Sequence, residues 1–431
     1  MTAPRELDRL TARPPDRPLS AREAAVAILE NVAVQPPLRV PLDDALGGVL
    51  AEDAVSPVDI PPFTNSAMDG YATRAADVSG ASSERPVRLR VVEEIPAGKR
   101  PERAIGPGEC ARIFTGGALP EGADGVVRQE DTDQGVDVVT ITNDRDAGIN
   151  FRRAGEDIPR GSVPLATGTA LGPAELGVLA SLGVANPVVI RRPRVGILAG
   201  GDEIADVDRA DDIRTGRMIG SSNTHTLAAL VRLAGAEPVN LGIARDTPES
   251  LREHLAGVGE CDLLVTTAGI SVGAHDHLRP VLEDLGVEMK FWRLRMRPGA
   301  PVGFGVLRGI PWIGLPGNPV STMVTFELFV RPAIRRMAGH ALPFRRGIAV
   351  TAAEPIDLKP KLQHFLRAVV RDGPDGPEVT LTGPQGSGIL TSMVKANALL
   401  VVPEGQHHTP AGATLTAIVL DDPKHVLEAP F

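Results

Sequence analysis

The sequence, 431 residues long, predicts a multidomain protein of mixed α/β and β class built around a doubly wound α/β domain. Three observations carry that expectation. Between residues 191 and 338, strand-like apolar runs alternate with helical stretches, the pattern of a parallel sheet covered on both faces. From about 56 to 160, and again from about 339 onward, short strand-like runs broken by Gly, Pro and Asp replace that alternation. Length alone suggests three domains at about 150 residues each. The texture changes near 56, 160, 191 and 339 raise the expectation to four. They are a helical base from 1–57 plus 160–190, a β-rich insert over 58–159, the α/β domain over 191–338, and a small β-barrel or sandwich over 339–431.

Each element has a local reason. Residues 20–33 read as a helix, because Ser20 with Glu23 makes a capping box and Ala25, Ile28, Leu29 and Val32 share one face. In the insert, 86–95, 125–130 and 136–142 read as strands. Residues 172–183 return to helix, with Pro173 in the first turn and Gly183 at the end. The α/β strands are 194–199, 237–243, 262–267 and 310–315, and the helices are 224–235, 248–257, 277–286 and a long one from Val320. Asn223 is placed to cap the first of these helices, and Thr247-Pro248 to open the second. Toward the C-terminus, 399–405 and 413–420 read as strands.

Composition narrows the function classes. With 42% hydrophobic and 23% charged residues, the chain is neither disordered, collagenous nor a disulfide-stapled miniprotein. A net charge of -9 argues against a basic nucleic-acid surface. No apolar stretch is long enough to span a bilayer, and the N-terminus has no apolar signal core, so a cytoplasmic protein without membrane attachment is expected. Cys110 and Cys261 suggest neither a disulfide framework nor a zinc site. Of 45 basic residues only 6 are lysine, so an arginine here carries less information than usual.

Open α/β sheets bind ligands outside the carboxyl ends of their strands. Here those ends run into Gly and acid: Gly200-Gly201-Asp202-Glu203, Ala244-Arg245-Asp246, the segment closing at Asp276, and Pro316-Gly317-Asn318-Pro319. Asp and Gly are ordinary turn residues. Yet Glu203, Asp246 and Asp276 on one edge would repel unless a cation joined them, which points to Mg²⁺. The loop holding Ser271 and Gly273 can offer backbone N–H groups to an anion. In 291–301, Arg293, Arg295 and Arg297 are expected to share one strand face that could hold an oxyanion, or simply be solvated. Asp69-Gly70 by itself reads as a turn.

Eight motifs then occur in order: NSAMDGYA (65–72), IFTGGALPEGADGVVRQED (113–131), FRRAGEDI (151–158), GGDEI (200–204), AGISVG with the acid at 276, FWRLRMRPG (291–299), GLPGNPVS (314–321) and QGSGILTSMVKANALLVVPEG (385–405). Together they resemble the molybdopterin molybdenumtransferase family (MoeA type, relatives of the gephyrin E domain), over nearly the whole chain from about residue 18. The resemblance implies a MogA-like α/β domain, a split helical base with a β-rich insert, a C-terminal β-barrel and a homodimer. It implies molybdenum cofactor biosynthesis, in which molybdenum from molybdate is inserted into adenylylated molybdopterin with Mg²⁺ and AMP is released. It places the functional acids at Asp69, Asp157, Glu203, Asp246 and Asp276, with Glu203, Asp246 and Asp276 as the metal set. Thr115, Pro316, Pro319 and Ser387 fall on family positions for substrate, beside Ser271, Gly273, Arg293 and Arg297. Arg293, Arg297 and Ala300 stand where the family usually has lysines. Molybdopterin adenylyltransferase and molybdoenzyme-maturation proteins are the implied protein partners. An adenylyltransferase activity and a non-catalytic scaffold are the two rival readings.

Overall fold

A computed structural model describes residues 17–267, 277–359 and 361–420. They form two compact units: one from Arg39–Leu46 and Leu50–Val188, the other from the described parts of Met1–Leu38, Gly47–Val49 and Val189–Phe431.

The first unit is centred on a five-stranded sheet of β1 (Gly70–Thr73), β2 (Val87–Ile95), β3 (Glu109–Ile113), β4 (Gly125–Arg128) and β5 (Val138–Ile141), in the order β4-β1-β3-β2-β5. Both faces are covered. Tyr71, Cys110 and Val127 pack on one side, and their neighbours Ala72, Ala111 and Val126 on the other, as a period of two requires. The central strands β1 and β3 escaped the sequence reading because they are short and buried on both faces, so they lack alternation. Conversely, 125–130 is strand only to Arg128, and Gln129–Asp131 is a 3₁₀ turn. Gly70 is obligatory in β1: a Cβ there would stand 2.0 Å from the Val127 carbonyl oxygen of β4. The helix Pro173–Ser181 starts on proline and is followed by Gly183 at φ +74°.

In the second unit, β6 (Arg194–Gly200), β7 (Glu237–Ala244), β8 (Leu263–Thr267), β9 (Val287–Phe291), β10 (Gly303–Leu307) and β11 (Ile310–Leu315) form one sheet ordered β7-β6-β8-β11-β10-β9. The four strands read from sequence are the parallel ones. The sheet as a whole is mixed, because β10 pairs antiparallel with β11 and β9 antiparallel with β10. Val195, Leu263, Val265 and Ile313 face one core, and Leu198, Leu264 and Trp312 face the other. The helix Ala21–Glu30, with its capping box formed, buries Ala24, Ala25 and Ile28 in the first of these cores. The long helix runs Pro319–Thr325, relaxes into a π turn over Phe326–Val330 and continues as Arg331–Met337. Pro332, which has no N–H for the carbonyl four residues back, follows that turn directly.

Residues β12 (Gly347–Ala352), β13 (Gln363–Gly373), β14 (Gly376–Leu381), β15 (Ala398–Val402) and β16 (Thr414–Val419) close on themselves, since β13 pairs with both β14 and β15. This is the expected small barrel, and closure leaves no free edge among the five. Val350, Leu366, Val379 and Leu400 fill it. No helix among the described residues is long and apolar enough to cross a membrane.

His340, just past the long helix, is buried, and its Nε2 has no hydrogen-bond partner. Burial, then the charges of Arg335 and Arg331, push its pKa from 6.5 down to about 4. The unfolded chain therefore binds the extra proton first, so His340 subtracts stability as pH falls from about 6.5 towards 4. His340→Gln should flatten that part of the stability–pH curve in urea titrations at pH 7, 6 and 5. An unchanged difference between pH 7 and pH 5 would refute the assignment.

Candidate functional site

Sheet topology places part of the second unit's predicted residues on one edge. Strands β6, β7, β8 and β11 are parallel, and β9, two antiparallel steps from β11, points the same way. The loops after β6 (Asp202, Glu203), β7 (Asp246), β9 (Arg293) and β11 (Pro316–Pro319) therefore leave at the same carboxyl edge. Ser271, Gly273 and Asp276 follow β8 in sequence and lie outside the described residues.

Two acids clasp across the ends of β6 and β7. The Asp246 N–H donates to Asp202 Oδ1 at 3.2 Å, and the Asp202 N–H donates to Asp246 Oδ2 at 3.4 Å. Each carboxylate keeps its second oxygen free of that exchange. Glu203 turns back over Gly201, whose φ is +132°, and its carboxylate lies 2.9 Å from where a Cβ would stand, so the turn excludes larger residues. Asp202 carried no separate sequence signal beyond its place in GGDEI. Beneath this edge is a cavity of about 20 Å³, room for about one water, lined by Gly200, Asp246, Thr267 and His277. Among the described residues, no three His, Cys, Asp or Glu side chains form a metal cage. The available donors are hard carboxylate oxygens, the type that Mg²⁺ takes.

The arginine row departs from expectation in form and keeps its alternation. Residues 293–297 are not one strand: only Met296–Arg297 is strand, paired with Gln363 and His364 of β13. Leu294 bridges to Leu19, and Leu294 and Met296 are buried while Arg293 and Arg297 are exposed. Arg295 reaches Glu404 at 3.5 Å; Arg293 and Arg297 have no ion-pair partner among the described residues. Burial chiefly, with the Arg297 charge adding, holds His364 below its ordinary pKa despite its contact with the Lys359 carbonyl.

Ser387 comes to this edge from the barrel. Its carbonyl accepts from Val320 N–H at 3.1 Å, directly behind the Pro316–Pro319 loop. The Thr322 hydroxyl donates to the Pro316 carbonyl at 2.5 Å, and Asn223 Nδ2 to the Gly317 carbonyl at 2.8 Å. Asn223 is thus not a cap: the helix begins at Ser222, and Asn223 spends its amide on the neighbouring loop. Arg367, unremarked in the sequence, is fully buried on β13. It donates through Nε to Ser392 Oγ and through Nη2 to the Gly386 carbonyl, while Nη1 has no partner. One guanidinium thereby holds both ends of the loop that carries Ser387. The only sequence signal was an Arg inside an apolar strand.

In the other unit, Asp69 and Thr115 meet. Asp69 Oδ1 accepts from Thr115 N–H and from its hydroxyl, both at 2.8 Å, and these bonds, the backbone one foremost, hold the carboxyl below its usual pKa. What looked like a plain turn is an exposed, fixed carboxylate. Asp157 is exposed, its N–H bonded to the Ile60 carbonyl where residues 151–158 run antiparallel to 60–66. It shares no hydrogen bond with Asp69.

Comparison with known proteins agrees along the chain. Residues 19–183 match the MoeA N-terminal region (domain I and II), 196–336 a probable molybdopterin binding domain, and 349–420 the MoeA C-terminal region (domain IV). The chain is 38% identical over 406 residues to molybdopterin molybdenumtransferase 2 of Mycobacterium tuberculosis (strain ATCC 25618 / H37Rv), covering 92% of this chain and 98% of that one. It is 32% identical over 408 residues to molybdopterin molybdenumtransferase of Staphylococcus aureus (strain COL), covering 94% and 96%. The crystal structure of the molybdopterin biosynthesis moeA protein from Pyrococcus horikoshii OT3 superposes with a TM-score of 0.78 at 29% identity, over 94% of this chain and all of that one.

Proposed function

The chain belongs to the molybdopterin molybdenumtransferase (MoeA) family of molybdenum cofactor biosynthesis, and on that premise we propose that it inserts molybdenum from molybdate into adenylylated molybdopterin with release of AMP. The observation that supports this reading best is the common carboxyl edge of Asp202, Glu203, Asp246, Arg293 and the Pro316–Pro319 loop. Acids and cations of opposite sign at one edge suit a substrate that carries phosphate and meets an oxyanion.

Each group has a task. Glu203 and Asp246, with Asp276, would hold Mg²⁺, and Asp202 keeps the Asp246 loop in register. Bound there, Mg²⁺ supplies positive charge to the phosphate oxygens. Arg293 and Arg297 neutralise phosphate or molybdate as fixed charges, because guanidinium does not give up its proton at working pH. The Pro316–Pro319 loop and Ser387 shape the nucleotide side, and Ser271 and Gly273 present the anion-facing loop. Asp69, fixed by Thr115, and Asp157 act on the pterin side, contributed across a homodimer by the partner's insert. Adenylylated molybdopterin would arrive from a molybdopterin adenylyltransferase, and the product would pass to molybdoenzyme-maturation proteins in the cytoplasm.

Incubation of the full chain with adenylylated molybdopterin and Mg²⁺ tests the reading. AMP should appear when molybdate is added and not before. Consumption of ATP with molybdopterin, in the absence of molybdate, would instead identify an adenylyltransferase. No AMP under either condition would favour a scaffold and overturn the proposal.

A further inference from the structure

A second charged concavity, of about 1180 Å³, opens on the flank of the barrel where the end of the long helix meets β12, β13 and β16. Arg331, Arg345, Arg346 and Arg371 line it, with Asp372 as the acid in the lining. Behind the wall, one buried carboxylate serves two of these arginines. Glu327 receives Arg345 through Nε at 2.6 Å and Nη2 at 3.2 Å, and lies 3.8 Å from Arg331 Nε. Arg331 Nη1 is fixed separately on the Pro343 carbonyl at 3.1 Å. Two guanidiniums are therefore held in place before any ligand arrives, which lowers the ordering cost of binding.

The local charge is out of balance. Arg335 stands close enough to disfavour the charged forms of Arg331 and His340, and its Nε is buried without a partner. Among the described residues, Arg331, Arg335 and Arg345 set three guanidiniums around Glu327, and Arg346 and Arg371 add two more in the lining, which also holds Asp372. Several forked donors around one space match a multi-oxygen dianion better than a single carboxylate. Apart from Asn397 the rest of the lining is apolar, and within it Phe344 is 51% exposed. A large apolar side chain left open to water in a basic cleft suits a ligand with an organic body attached to its charge.

We propose that this concavity binds an organic phosphate, with the phosphate on Arg331, Arg345, Arg346 and Arg371 and the organic body against Phe344. It is separate from the sheet-edge site. Arg331 lies 12 residues along the long helix from Pro319, or about 18 Å at 1.5 Å per residue.

Calorimetric titration of the full chain with phenyl phosphate and with orthophosphate tests the proposal. Phenyl phosphate should bind saturably and roughly tenfold tighter than orthophosphate, because its ring removes apolar surface from water. Arg346→Gln with Arg371→Gln, neither of which is in an ion pair among the described residues, should weaken both ligands roughly tenfold or more. Phe344→Ala should erase the preference for phenyl phosphate and leave orthophosphate binding in place. Arg293→Gln with Arg297→Gln, which bear on phosphate at the sheet edge, should leave the Phe344-dependent preference for phenyl phosphate in place. Absence of saturable binding, equal binding by the Arg346→Gln/Arg371→Gln variant, or loss of the phenyl phosphate preference in the Arg293→Gln/Arg297→Gln variant would each overturn the proposal.

Discussion

Asp246→Ala should reduce molybdate-dependent AMP release by on the order of 10²-fold, the scale of losing one preorganised charge-handling group. Asp246 follows β7 at the carboxyl edge, where among the described residues its carboxylate has one backbone donor, the Asp202 N–H at 3.4 Å. A bond that long contributes little to folding, roughly 1 kcal/mol or less. The variant should therefore keep its unfolding midpoint while losing activity, and that separation identifies a site residue. Asp202→Ala removes the acceptor of the Asp246 N–H and leaves the Asp246 carboxylate in place, so its loss should be smaller. AMP release at the parent rate from Asp246→Ala, or an equal collapse of folding and activity, would refute the role given to this acid.

Glu327→Ala should destabilise the second unit by about 3–5 kcal/mol, the usual cost of removing one partner from a buried ion pair. Glu327 is 8% exposed on the π turn, bidentate to Arg345 and adjacent to Arg331. Without it, Arg331 and Arg345 face each other and Arg335 in a half-dry environment. Burial already pulls Arg331 down to about 10 there, with the Arg345 charge adding to the effect. Urea unfolding followed by tryptophan fluorescence reports on this unit, because Trp292 and Trp312 both lie in it. Glu327→Leu with Arg345→Leu should recover much of the loss, since removing both charges leaves less unpaired than removing one. A Glu327→Ala midpoint equal to the parent's would show that the pair adds nothing.

The legible part of the fold was the part encoded at short range. Ser20 with Glu23, Thr247 with Pro248, and Pro173 with Gly183 mark helix ends through groups no more than ten residues apart, and all three are in place. Three of the four parallel strands, β6, β8 and β11, announced themselves as apolar runs because both of their faces are buried, whereas the edge strand β7 is mostly half-buried. What stayed hidden had weak local signals. Gly70–Thr73 and Glu109–Ile113 are short and small-residue rich, although they form the middle of their sheet. The antiparallel strands β9 and β10 are joined through an irregular arginine-bearing segment in which period two persists without a continuous strand.

The sequence by itself determined the mixed α/β class with its C-terminal barrel, the main helix ends and the membership in a family, because these depend on periodicity, caps and ordered motifs. Only the tertiary structure decided which groups meet. Asp202 faces Asp246 because β6 and β7 are neighbours in register, Ser387 reaches Val320 because the barrel's loop returns to the long helix, and Thr115 fixes Asp69 because β1 pairs with β3. Each of these contacts depends on sheet order and register, which are settled by burial of whole faces and not by any single short stretch of chain.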